Sequence, residues 1–262
     1  MKSVKQVVSR RSRKSKAVTK KKLLLNCDLG ESFGPWRMGH DEEIMSLIDC
    51  ANVACGFHAG DPSVMRKTLM LAKRHKVEIG AHVGYPDLQG FGRRSMNLRG
   101  QELIDCIHYQ MGALDGIARS HGVRPTYLKP HGALYNDMVG DRDLTETVIK
   151  AAATWFRGAD LVVMATPTDK KAVQMGIEYG VSLRFEAFAD RGYTSSGTLI
   201  PRSEAKAVLG ADKAVEQALA ISSQQLRSQS GKRLNLVPDT ICVHGDTPDA
   251  VAIAKAIREA LG

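Results

Sequence analysis

Seven times along this chain a short apolar run stops at a polar residue and gives way to a longer stretch with helical spacing. The runs span residues 23–27, 51–55, 77–81, 125–128, 160–164, 182–185 and 240–243. Each is bounded by Gly, Pro, Asp or His, as buried parallel strands are. Asp61-Pro62 reads as an N-cap and first-turn pair opening a helix to about His75. Over 100–121, Leu103, Ile107, Met111, Leu114 and Ala118 form one apolar stripe, which Gly122 stops. Thr247-Pro248 opens a last helix, with Ala250, Ile253, Ala254 and Ile257 on one face. Strands alternating with helices make a parallel sheet. At 262 residues the sheet is expected to close into an irregular, single-domain (β/α)7 barrel, because barrels of this kind take about 250 residues. An open doubly wound sheet is the alternative.

The charge balance suggests a nucleic-acid partner until its distribution is examined. Residues 1–22 hold ten Lys or Arg and no acid; removing them from the net +9 leaves about −1 for residues 23–262. The basic character therefore belongs to a tail, which composition marks as a disordered extension, and the body 23–262 is the folded domain. A DNA-binding surface would spread its Lys and Arg over the folded part, so no nucleic acid is expected. The tail lacks the apolar core of a secretory signal, and no stretch approaches the length of a membrane span. The cysteines number five, an odd count, with no CxxC spacing. Reduced thiols in a cytoplasmic protein are the simplest account.

The polar residues gather where the strand runs end. Asn26, Asp28 and Glu31 flank the first. Asn52 lies in the second, which leads to His58 and Asp61. His82, Tyr85 and Asp87 follow the third, Lys129 and His131 the fourth, and Glu186, Asp190 and Arg191 the sixth. His244 and Asp246 end the seventh. In a parallel α/β fold the carboxyl ends of strands share one face, where catalytic groups sit. His75, His108 and His121 fall on helices and read as structural. Asp61 reads as a cap, whereas Thr247 takes the capping role beside Asp246 and leaves that acid available. Glu186 follows an apolar run that would bury it, as a general base requires. Lys129 suits stabilisation of an oxyanion; the alternative is a salt bridge to Glu186 or Asp28. The loop GFGRR at 90–94 either holds an anionic group with Arg93 and Arg94 or is a solvated turn. P-loop, dinucleotide and nucleophile-elbow motifs are absent, which argues against acyl-enzyme chemistry on Ser.

The blocks LNCDLGESFGPW, ANVACGFHAGDP, GAHVGYPDLQGFGRR, YQMGAL, LKPHGALYN, FADRGY, GTLIPR and TICVHGDTP, in that order, resemble the LamB/YcsF family of 5-oxoprolinase A subunits. The resemblance implies a distorted barrel related to sugar deacetylases. It also implies cleavage of 5-oxoproline to glutamate, using ATP with Mg2+ at the level of a complex that includes subunits B and C. The motif positions it carries over are Asp28, His58, His82, Lys129, His131, Glu186, Asp190, Arg191, His244 and Asp246. Together with the residue-level reading, Asp28, Lys129, His131, Glu186 and His244 are expected to be catalytic. Asn52, His58, His82, Arg93, Asp190, Arg191 and Asp246 are expected to bind substrate. The expected mechanism has Asp28 or Glu186 as base for an attacking water, Lys129 and a histidine on the developing charge, and an Arg on the substrate carboxylate. No tightly bound metal is expected; the ligand set if one exists is Asp28, His58 and His82. The rival function is a metal-dependent amidohydrolase or deacetylase acting on another lactam or an N-acyl substrate. A homo-oligomer is left open. The family pattern has Pro after the third-strand His, where Val83 stands in this chain.

Overall fold

The computed structural model describes residues 23–155, 158–166, 170–245 and 249–261. The basic tail, the 247–248 cap and Asp246 lie outside the described residues. The chain runs β1 (Leu24–Leu29), α1 (Asp41–Ile44), β2 (Cys50–Ala54), α2 (Pro62–His75), β3 (Glu78–Val83), α3 (Gly100–Ser120), β4 (Tyr127–Pro130) and α4 (Gly132–Asp137). It continues through α5 (Arg142–Trp155), β5 (Asp160–Met164), α6 (Lys170–Tyr179), β6 (Ser182–Phe188), α7 (Ala211–Ser222), β7 (Thr240–His244) and α8 (Ala250–Leu261). The seven strands pair in sequence order, all parallel, and β1 closes on β7. The expected closed (β/α)7 barrel is what forms, and the open sheet is not.

Local chemistry explains the elements. Asp61 accepts hydrogen bonds from Ser63 N–H and Val64 N–H, with Pro62 in the first turn of α2. The apolar stripe of α3 is buried, and Gly122 follows its C-cap with a positive φ of 69°. No helix among the described residues is long and apolar enough to cross a membrane.

One expectation needs correcting. Most of the polar residues expected after the strands lie within them: Asp28 in β1, His82 in β3, Lys129 in β4, Glu186 in β6 and His244 in β7. The reason is the two-residue side-chain period. Leu25, Cys27 and Leu29 of β1 pack outward into the main apolar core, while Asn26 and Asp28 turn into the barrel. Register carries this round the sheet. Asp28 pairs with Asn52 and His244, Ala54 with His82, and His82 with Lys129. The barrel lumen is therefore lined with charge and amide groups instead of the branched aliphatic layers common in such barrels. Val83 ends β3, and its carbonyl accepts the His131 N–H at 2.7 Å.

The amino end of the lumen is closed by an ion-pair plug. Arg184 donates to Glu78 at 2.9 and 3.1 Å and to Asp160 at 2.7 Å, with its guanidinium over the Tyr127 ring. The Tyr127 ring fits because Gly80 faces it: a Cβ there would stand 2.0 Å from the ring. Arg184→Ala leaves two part-buried carboxylates without their cation. Urea unfolding should show a loss of about 3 kcal/mol, since breaking such a pair strands the partner charges. A loss under about 1 kcal/mol would mean that water replaces the guanidinium.

Candidate active site

At the carboxyl end of the strands, one lysine organises the floor. Lys129 is 2% exposed. Its Nζ donates to Asp28 Oδ1 at 2.8 Å and lies 3.0 Å from Glu186 Oε1 and 3.2 Å from Cys242 Sγ. Burial alone would draw the ammonium down, but Asp28, and after it Cys242 and Glu186, hold it well above the usual lysine range. Burial would likewise raise the Asp28 carboxyl. The His82 and Lys129 charges outweigh it and hold Asp28 well below the carboxylate range. A carboxylate held that strongly in its anionic form is a weak base, which weighs against Asp28 as the proton acceptor.

Asn52 does not reach the cavity as a substrate ligand. Its Nδ2 donates to Asp28 Oδ1 and Asn26 Oδ1, each at 2.7 Å, and its Oδ1 accepts Tyr127 Oη–H at 2.6 Å. It fixes Asp28 from beneath. Asn26 and Tyr127 belong to the same layer, and sequence reasoning gave neither a role, because β-register alone brings them under the site.

A second group gathers on the β1, β2, β3 and β4 side. His58 and His131 stack with centroids 3.8 Å apart and planes 6° off parallel. His131 Nδ1 lies 3.0 Å from His82 Nε2. Glu31 Oε1 lies 3.4 Å from His58 Nε2 and 3.6 Å from His131 Nδ1. Burial, then neighbouring histidine charge, pushes His58 and His131 well below the usual imidazole range, so both rings are neutral. The loop after β3 closes over them at Gly92. With φ of 64°, its missing Cβ would stand 2.7 Å from His58 Cβ and 2.8 Å from His131 Cδ2. Of the residues expected as a ligand set if a metal is present, Asp28, His58 and His82, the two histidines lie in this cluster and Asp28 sits at its edge. Asp28 Oδ2 does lie 3.3 Å from His82 Nε2, but its other oxygen is engaged by Lys129 and Asn52. The histidines converge on Glu31 instead. Glu31 was visible in the sequence three residues past Asp28, without a reason to single it out.

The third group is an Asp–His pair. Asp190 receives the His244 backbone N–H at 3.1 Å, and its two oxygens lie 3.0 and 2.9 Å from His244 Nδ1. Despite burial, His244 holds the Asp190 carboxyl below its ordinary range. The pair turns Nδ1–H toward Asp190 and leaves Nε2 as the ring nitrogen that Asp190 does not engage. Asp190, expected to bind substrate, thus acts on His244. Arg191, also expected there, donates to the backbone, Nε to Ala207 O at 2.9 Å and Nη2 to Ile200 O at 2.7 Å, and it also lines the cavity. Burial, then Arg202, pushes it down to about 10. The 90–94 loop divides the same way: Arg94 is 63% exposed and pairs with Asp87, whereas Arg93 lines the cavity.

The Asp28–Lys129 floor, His131, His244 and Arg93 open onto one cavity of about 500 Å3, well within the range of ligand pockets. Arg202 and Phe188 also line it; both had escaped the sequence reading, since Arg202 lies on a loop far from any strand end. An imidazole oriented by a carboxylate, a buried ammonium and a guanidinium suit attack on a carbonyl of an anionic substrate.

A sequence model of the LamB/YcsF family matches residues 23–262. The chain is 53% identical over 242 residues to the 5-oxoprolinase A subunit of Pseudomonas fluorescens (strain Pf0-1), covering 92% of this chain and 97% of that one. It is 46% identical over 246 residues to the 5-oxoprolinase A subunit of Vibrio parahaemolyticus, covering 93% and 97%. The crystal structure of the lactam utilization protein from Thermus thermophilus superposes with a TM-score of 0.83 at 38% identity, covering 92% of this chain and 96% of that one.

Proposed function

The chain belongs to the LamB/YcsF family, and from that premise we propose that it is the A component of a multi-subunit 5-oxoprolinase, opening the lactam of 5-oxoproline to glutamate. The relatives' names support the substrate and the existence of partner subunits, here taken as B and C. ATP with Mg2+ is the co-substrate of the complex in this reading. The γ-phosphoryl group passes to the lactam oxygen, releasing ADP. Water then adds to the ring carbonyl carbon and gives its proton to His244 Nε2. The C–N bond breaks, its nitrogen takes up a proton, and a second water releases phosphate. Lys129 stabilises the negative oxygen, and Arg93 holds the substrate carboxylate.

The observation that carries this reading is the joint placement of the Asp190-oriented His244 and the Lys129 ammonium on one cavity. The rival, a metal-dependent amidohydrolase or deacetylase, is favoured by the Glu31 and histidine cluster. Nucleotide dependence separates the two. Glutamate should form from 5-oxoproline only when this chain, both partner subunits and Mg-ATP are present together. Cleavage of another lactam or an N-acyl substrate by this chain alone without nucleotide would favour the rival; no glutamate from the complete mixture would remove the assignment.

A further inference from the structure

The three-histidine cluster has a hydrogen-bonding pattern that neutral side chains cannot satisfy by themselves. His82 Nδ1 lies 3.0 Å from Lys129 O, and His131 Nε2 lies 2.9 Å from Phe91 O. A carbonyl oxygen only accepts, so both of these nitrogens carry the hydrogen. In neutral rings the remaining nitrogens, His82 Nε2 and His131 Nδ1, are bare, and they face each other at 3.0 Å. Two lone pairs at that distance repel unless positive charge lies between them. One proton would serve that single pair. The cluster is larger: His58 is fully buried, neither of its ring nitrogens has a hydrogen-bond partner among the described residues, and its Nε2 lies 3.4 Å from Glu31 Oε1.

We propose that Glu31, His58, His82 and His131 bind one divalent transition-metal ion of the zinc class. One donor atom from each of the four lies within 4.8 Å of the others. Zinc bonds of about 2.0–2.2 Å place ligand atoms about 3.0 Å apart at right angles and about 3.4 Å apart at tetrahedral angles. The measured 3.0, 3.4 and 3.6 Å separations therefore need only small adjustments to close on an ion. Imidazoles with one carboxylate and no thiolate select zinc, cobalt, nickel or iron over calcium and magnesium. The main-chain bonds of His82 and His131 supply the outer contacts that orient histidine ligands, carried by opposite nitrogens in the two rings. Glu31, His82 and His131 also line the cavity, so the ion faces it and is placed to polarise a carbonyl oxygen.

The inference does not rest on the lactam reading, and its test uses neither substrate nor nucleotide. The full-length chain, dialysed against chelator, is titrated with Zn2+ by calorimetry and with Co2+ by visible absorption. One ion per chain and the d–d bands of a low-coordinate cobalt centre are expected. Glu31→Gln, nearly isosteric, and His131→Gln should each weaken binding at least about tenfold, with circular dichroism reporting that both remain folded. Three results overturn the proposal: no binding by the folded parent chain, unchanged affinity in both variants, or loss of the ion in Asp28→Asn alone. The last would move the ion to the Asp28–Cys242–His244 group.

Discussion

Replacing Lys129 by Met should abolish turnover of the assembled complex and destabilise this chain by about 3–5 kcal/mol. The stability loss follows from what is left behind. Asp28 and Glu186 both face the vacated position, at 7% and 0% exposure, and a buried charge stripped of its partner is costly. The catalytic loss follows from the missing ammonium, since a single oxyanion-stabilising group is worth about 100- to 1,000-fold in kcat. Misfolding and lost chemistry are separated by the pair Lys129→Met with Glu186→Gln. Neutralising one of the two carboxylates should return much of the stability, read by chemical denaturation, while glutamate formation stays absent. If the stable double variant turned over within tenfold of the parent, Lys129 would be a structural ion-pair centre and the chemistry would lie elsewhere.

The sequence displays the barrel clearly because barrel strands advertise themselves twice, as apolar runs and as the spacers between amphipathic helices. Runs such as 160–164 coincide with strands in full. Runs that stop short, such as 23–27 and 77–81, do so because an inward carboxylate or imidazole looks like the end of a strand when only hydropathy is read. Most expected site residues do meet at one place, since any residue at the carboxyl end of a parallel strand must. Their roles were less visible. Asn52 and Asp190 were assigned to substrate, yet each bonds a protein group, Asp28 and His244 respectively, while Arg191 anchors the 200–207 backbone and also lines the cavity. Nothing in a linear pattern says whether a polar side chain faces the ligand or another side chain. That distinction is set by register between strands, as for Asn52 and Asp28, 24 residues apart, or by a loop past a strand end, as for Asp190 and His244, 54 apart. Glu31 escaped for a similar reason. It lies two residues past the end of β1, and only the fold brings it to histidines from three other segments.

The same distinction makes Asp190→Asn the sharper of the two tests. If Asp190 held substrate, the change would raise KM and leave kcat near its parent value. In the arrangement seen here it fixes the His244 tautomer, so kcat should fall by about two to four orders of magnitude with KM little changed, because a misplaced proton disables the base without emptying the cavity. Stability should respond to pH as well. The Asp190 carboxyl is held below its ordinary range in the folded state, so the unfolded chain binds its proton more readily. Its contribution is therefore complete above the usual carboxylate value of about 3.9 and disappears as pH falls through the lower folded value. The Asn variant lacks this contribution. The stability gap between parent and variant should be widest near neutrality and narrow on acidification below about pH 4, as followed by urea midpoints across pH. A gap that stayed constant through that range, together with a raised KM, would return Asp190 to the substrate and require another residue to orient His244.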